Sequence, residues 1–118
     1  MLNVCTLMGR LTRDPEMRQT QTGKNVASFS IACDRDVGGE TDFIDIVVWE
    51  KTAEFVCNYF KRGSMIAVTG RLQSRKWTGK DGNNRTDREI VADRVWFAGG
   101  KREEQKFDPL PDETEIPF

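Results

Sequence analysis

The sequence predicts an all-β fold, a small barrel of five strands with one helix between the third and the fourth. Two observations predict it. Five segments rich in β-branched and aromatic residues are separated by short runs of Gly, Pro, Asn and Asp, and several alternate apolar with polar residues, as strands buried on one face do. One segment alone, around residues 51–63, repeats its apolar residues at helical spacing. A chain of 118 residues has room for one such domain and a tail.

"NVCTLMGRL" (3–11) is the first strand, with Gly9 as a candidate bulge. "RDPEMRQTQTGKN" follows, and its Pro15 and Gly23 predict turns. In "NVASFSIACDR" (25–35), Val26, Ser28 and Ser30 alternate with Ala27, Phe29 and Ile31, which predicts the second strand. "DVGGET" is a loop, and "DFIDIVVW" (42–49) is the third strand. In "KTAEFVCNYFKRG", Ala53, Val56 or Cys57, and Phe60 share a helix face. Thr52 suits the N-cap, Lys61 and Arg62 the C-terminal dipole, and Gly63 the C′ position. "SMIAVTGRLQSRKW" (64–77) is the fourth strand, where Gly70 permits sharp curvature. After the hairpin loop "TGKDGNN", "RTDREIVADRVWF" (85–97) is the fifth. The order β-β-β-α-β-β is the layout of the OB-fold, a partly open Greek-key barrel. Phe29, Trp96 and Phe97 are expected in its core.

Composition narrows the function. With 37% hydrophobic and 31% charged residues, the chain can pack a core under a wet surface. No stretch approaches the length of a membrane span. The opening "MLNVCTLMGRLTRDP" lacks the basic leader, apolar run and cleavage site of a secretory signal, so the expected compartment is the cytoplasm. There is no histidine, which excludes Ser-His-Asp and Cys-His chemistry. "TGKDG" lacks the first Gly and the Ser or Thr of a phosphate-binding P-loop. Cys5, Cys33 and Cys57 are widely spaced with no CxxC; they are expected to be reduced, buried thiols, and no metal or cofactor is expected.

The charge is divided along the chain. Residues 1–98 carry 15 Lys/Arg against 13 Asp/Glu, while residues 99–118 carry three against six. This suggests a barrel over 1–98 and, over 99–118, a disordered acidic tail made of a short linker and a tip. Gly99-Gly100, Pro109 and Pro111 argue against a further strand or helix. A purely solubilising tail has no use for the apolar residues of "DETEIPF". Asp112, Glu113, Glu115, Ile116, Pro117 and Phe118 are therefore read as a peptide that docks into an apolar pocket with a basic rim on a partner.

Aromatic and basic residues coincide in the body. Phe43 and Trp49 lie on the third strand, with Lys51 just beyond. The fourth strand ends in Arg71, Arg75, Lys76 and Trp77, and the long hairpin adds Lys80 and Arg85. Arg10, Lys24 and Arg35 belong to the first strand, the first hairpin and the end of the second strand. Rings on which bases stack, beside cations that follow phosphates, are what binding of single-stranded nucleic acid requires. Asp45, Glu50, Glu54 and Asp93 are interspersed, so affinity has to come from a local stripe plus stacking.

At these residues the chain resembles the bacterial single-stranded DNA-binding proteins. "LNVCTLMGRLTRDPEMR" is similar to that family's opening strand and Asp-Pro-Glu turn, and "TGKNVASFSIA" and "DFIDIVVW" to its second and third strands. "NYFKRGSMIAVTGRLQSRKW" resembles its Lys-Gly-Ser and Gly-Arg-Leu segments, and "DETEIPF" its acidic, Pro-Phe-ended tip. The resemblance implies an OB-fold, a homotetramer, sequence-tolerant binding of single-stranded DNA in replication, recombination and repair, nucleoid association, and docking of partner enzymes by the tip. By position, it implies base stacking on Phe43, Trp49 and Trp77, and a basic face of Arg10, Lys24, Lys51, Arg71, Arg75 and Lys76. Two features depart from the pattern: Val37 stands where many members have an aromatic residue, and only "GGKREEQKFDPLP" links body to tip. An OB-fold primosome accessory protein is the neighbouring alternative. A metal-dependent nuclease, with the Glu104-Gln105-Lys106 spacing as its only support, is the alternative from another class.

Overall fold

The structure, a computed structural model, describes residues 1–99. Six strands and one helix follow in the order β1 (Cys5–Leu11), β2 (Glu16–Gln19), β3 (Asn25–Asp34), β4 (Thr41–Trp49), α1 (Glu50–Tyr59), β5 (Met65–Thr78) and β6 (Asn84–Phe97). Hydrogen-bonded neighbours run β1-β5-β6-β4-β3-β2, and β1 also pairs with β3 through Arg10↔Ala32 and Leu11↔Ile31. That last pairing closes five strands into the OB-type barrel that the sequence predicts. All ladders are antiparallel except β4–β6, which run parallel through Ile46↔Ile90 and Val47↔Val91.

The closure needs a close backbone approach, and Gly9 supplies it. A Cβ on Gly9 would lie 2.5 Å from the carbonyl oxygen of Ala32 on the strand that β1 crosses to meet. Gly9 is paired regularly with Ile66 rather than bulged. The bulge lies between Thr69 and Gly70, where Thr69 faces Arg94 and Gly70 faces Ala92, leaving Asp93 as the extra residue. A bulge bends its strand and increases local twist. Here it sits where the long β5–β6 hairpin leaves the barrel.

The strand missing from the sequence reading is β2. "EMRQ" is exposed at all four positions and carries no alternation; only its pairing with β3, Glu16↔Ser28 to Gln19↔Asn25, makes it a strand. The core is the set of inward residues that alternation marks: Phe29 and Ile31 on β3, Ile46 and Val48 on β4, Ile66 and Val68 on β5, and Ile90 on β6. α1 plugs one end with Ala53 and Val56, and Phe60 follows them into the core.

Two details of α1 differ from expectation. The N-cap is Trp49, with no side-chain capping bond, and Thr52 lies inside the first turn. The helix ends at Tyr59, before Lys61 and Arg62 can reach its last turn, because Phe60 turns extended to bury its ring. Gly63, with φ +89°, belongs instead to the turn in which Ser64 N–H bonds to the Lys61 carbonyl at 2.9 Å. Trp96 and Phe97 also correct the expected core, being 46% and 61% exposed. Trp96 pairs with Ala67 on the outward side of β6, the side that the pleat denies to the core. Phe97 ends the strand and stacks on Phe60 at 4.7 Å, so it covers the core from outside with one side open.

Glu50, the first helical residue, has φ +53°, the only positive φ at a non-glycine among the described residues. A left-handed conformation costs an L-residue about 1–2 kcal/mol. The acid recovers roughly 0.5 kcal/mol from the helix dipole. Glu50→Gly is therefore expected to raise stability by about 1 kcal/mol net, read as a higher midpoint in urea at unchanged slope.

Candidate nucleic-acid interface

The pleat that sends Ile46 and Val48 inward sends Phe43, Asp45, Val47 and Trp49 outward on β4. The cross-strand register extends this face in both directions. Arg18 of β2 opposes Val26 of β3, which opposes Trp49. Val47 opposes Val91 of β6, which opposes Arg71 of β5. The same face continues along the hairpin through Gln73↔Glu89, Arg75↔Asp87 and Trp77↔Arg85. A groove of about 360 Å³ follows from this, with Arg13, Arg18, Trp49, Gln73 and Arg75 among its lining, together with the acids Asp45 and Glu89.

Three rings stand on this face: Phe43 at 70% exposure, Trp49 at 40% and Trp77 at 44%. Partly exposed rings of this kind offer a π-face at little conformational cost. Trp77 is the most constrained. Its indole N–H donates to Asp87 Oδ2 at 2.9 Å, and the Arg85 guanidinium lies 5.7 Å from its ring centroid. Lys76, Trp77 and Arg85 border a second recess of about 420 Å³ near the hairpin end.

The other candidates scatter. Lys24 sits in the β2–β3 turn, at the Trp49 end of β4. Arg10 continues the row Phe43–Ala32–Arg10 around the barrel. Lys80 lies in the β5–β6 turn. Lys76 alternates to the reverse face of the hairpin from Trp77, in register with Thr86. Lys51 borders a separate cavity with Thr52, Phe55, Asp93, Arg94 and Trp96. Arg35 is engaged by Glu40 and Asp42 at 2.9 Å each. Its hydrogen bond holds the Asp42 carboxyl below the usual range, so the charge of Arg35 is already compensated. Val37 is 84% exposed in the β3–β4 loop, where it offers no ring. The docking residues Asp112, Glu113, Glu115, Ile116, Pro117 and Phe118, and the Glu104–Lys106 pair, lie outside the described residues.

The three cysteines are half-buried rather than fully buried, and pack against the core. Burial first, then Asp42 and Asp34, pushes the Cys33 thiol up, and burial does the same to Cys57. Both stay protonated at neutral pH and are poor nucleophiles. Among the described residues no three His, Cys, Asp or Glu side chains could hold a metal ion, and no helix is long and apolar enough to cross a membrane.

The model of the single-strand binding protein family matches residues 2–98. The chain belongs to that family. A single-stranded DNA-binding protein of Oceanobacillus iheyensis is 47% identical over 102 residues, 82% of this chain and 63% of its own length. Single-stranded DNA-binding protein 1 of Staphylococcus aureus is 48% identical, over 82% of this chain and 65% of its own length. A single-stranded DNA-binding protein of Bacillus cereus is 41% identical over 94% of this chain and 71% of its own length. The chain thus spans a little under two thirds of the first two relatives.

Sequence reasoning missed Arg13 and Arg18 as members of this face. Arg13 and Arg18 flank Pro15 in a stretch that reads as turns, and only the pairing of β2 brings them to Trp49. Arg85, expected among the basic residues of the hairpin, lies directly opposite Trp77.

Proposed function

We propose that this chain binds single-stranded DNA, without strong sequence preference, on the outward face of β4 and the β5–β6 hairpin. The observation that carries the reading is the placing of Trp49 and Trp77 on one face with Arg13, Arg18, Arg71, Arg75 and Arg85. Relatives named for single-stranded DNA support it. Phe43, Trp49 and Trp77 stack bases, and the arginines neutralise phosphates. Lys24 and Lys80 extend the cationic rim; Arg10, Arg35, Lys51 and Lys76 contribute less directly. No catalytic role is assigned to any residue. Five neutralised phosphates give log K a slope of about −3.5 against log salt. Titration with oligo-dT at several salt concentrations, followed by tryptophan fluorescence, measures it. Salt-independent binding contradicts the phosphate assignment.

The assembly we propose is a homotetramer. Met8, Ala67 and Trp96 form one outward row across β1, β5 and β6, with Met8 59% and Trp96 46% exposed. Apolar surface of this kind gains by being covered, and several barrels on one strand gain avidity. Light scattering that returns a monomer mass at micromolar concentration sinks this.

Residues 1–98 act as the DNA-binding domain and 99–118 as linker and tip. The acids and the Ile-Pro-Phe of the tip recruit enzymes of replication, recombination and repair, inside the cell and at the DNA. Deletion of residues 112–118 is expected to abolish capture of such enzymes and leave oligo-dT affinity intact or slightly tighter at low salt. Loss of folding or of DNA binding makes the tip structural.

A further inference from the structure

We propose that Asp87 is a positioning residue for base stacking on Trp77. The inference rests on the DNA-binding reading above and deepens it. Asp87 lies on β6 directly opposite Arg75, and Trp77 lies two residues further along β5. Such diagonal neighbours on one face are within reach of long side chains. A single oxygen, Oδ2 of Asp87, accepts the indole N–H of Trp77 at 2.9 Å and meets the Arg75 guanidinium at 3.5 Å.

An indole has one polar group, its N–H, at the ring edge. The torsion that sets the ring plane is broad and weakly determined by itself. A bond at the edge therefore decides which way the ring faces. Arg85 lies over one face of the ring and is itself paired with Asp81 at 3.0 Å. Edge and one face are thus occupied, and the remaining face is left for a base. A ring ordered before binding avoids an ordering cost worth about 2- to 10-fold in affinity.

The opposing view makes Asp87 only the partner of Arg75, an acid that repels phosphate. The two views separate because Asn and Ala remove the same charge. Asp87→Asn keeps a carbonyl oxygen for the indole N–H, and Asp87→Ala keeps nothing. If Asp87 positions the ring, Asp87→Asn binds oligo-dT at least as tightly as the parent, and Asp87→Ala binds about 2- to 10-fold more weakly than Asp87→Asn. The difference vanishes when both changes are repeated beside Trp77→Phe, which keeps a ring without an indole N–H.

A second readout needs no DNA. The protein has three tryptophans, whose indole ¹⁵N–¹H resonances are assigned by single Trp→Phe variants. Asp87→Ala is expected to shift the Trp77 resonance and speed its exchange with solvent, and Asp87→Asn to hold both near the parent. Equal affinities of the two Asp87 variants, with the Trp77 resonance unmoved, overturn the proposal while leaving DNA binding standing. A parent protein that fails to bind oligo-dT overturns the DNA-binding reading and the stacking role with it.

Discussion

Gly70→Ala is expected to lower the stability of the barrel by about 3 kcal/mol, the upper range for forced overpacking. A Cβ at Gly70 falls well inside contact distance of the Val91 carbonyl oxygen, and 2.6 Å from the Ala92 Cα. Both are backbone atoms of the paired strand, so no side chain can rotate away. The clash can be relieved only by opening the β5–β6 ladder at its bulge, which also carries Ala92 and Val68 of the core. For a domain of this size each kcal/mol is worth about 4–8 °C in Tm, so thermal unfolding should fall by roughly 12–24 °C. An Ala substitution at Gly79, in the exposed hairpin turn, meets side-chain atoms of Arg85 and Asp81 that can move, and should cost far less. Equal melting of the two variants would show that the bulge has more slack than the geometry implies.

The same residue illustrates how far the sequence carries the fold. A glycine inside an otherwise β-branched strand signals curvature, and Gly70 is where the barrel wall bends. The alternation in "NVASFSIACDR" placed Phe29 and Ile31 in the core, and both are fully buried. These are local signals, written in one strand. β2 was not legible, because a polar edge segment has no face to bury and becomes a strand only through its partner. Trp96 and Phe97 were misread for a related reason. Residue type favours burial, but the register set by the Asp93 bulge sends Trp96 outward, and a bulge cannot be seen from one strand. At the site, Trp49 and Trp77 could be named from basic neighbours in the chain. Arg18 could not, since it reaches Trp49 across two ladders. Lys76 shows the converse. It is adjacent to Trp77 in sequence and is placed on the reverse of the hairpin by the two-residue period.

Trp49→Ala and Trp77→Ala are each expected to weaken oligo-dT binding by about 1–3 kcal/mol, the worth of one stacked base. That is roughly 5- to 150-fold in Kd. Both rings face outward, at 40% and 44% exposure, so their removal opens no cavity in the core and the barrel should stay folded. Trp49 sits in the groove beside Arg13, Arg18 and Arg75, and Trp77 further out on the hairpin beside Arg85. A strand that follows this face visits both rings. The double variant should then lose close to the sum of the two single losses, since the rings share no contact. Tyr59 provides the comparison. It is more exposed than either, at 62%, but packs with Phe55 and Phe97 at the helix end, away from the groove. Tyr59→Ala should leave affinity unchanged if the groove face is the site. The salt slope adds a further distinction. Losing a ring should lower the affinity at every salt concentration and leave the slope alone, whereas Arg75→Ala should reduce the slope by about 0.7, one phosphate. Arg75 shares Asp87 with Trp77, so its loss also leaves that acid uncompensated beside the ring. Its effect on affinity should therefore exceed that of Arg71→Ala, whose guanidinium, among the described residues, bonds to the neutral Gln73. Rings whose removal changes neither affinity nor fluorescence quenching, in a folded protein, would move the DNA to another face of the barrel.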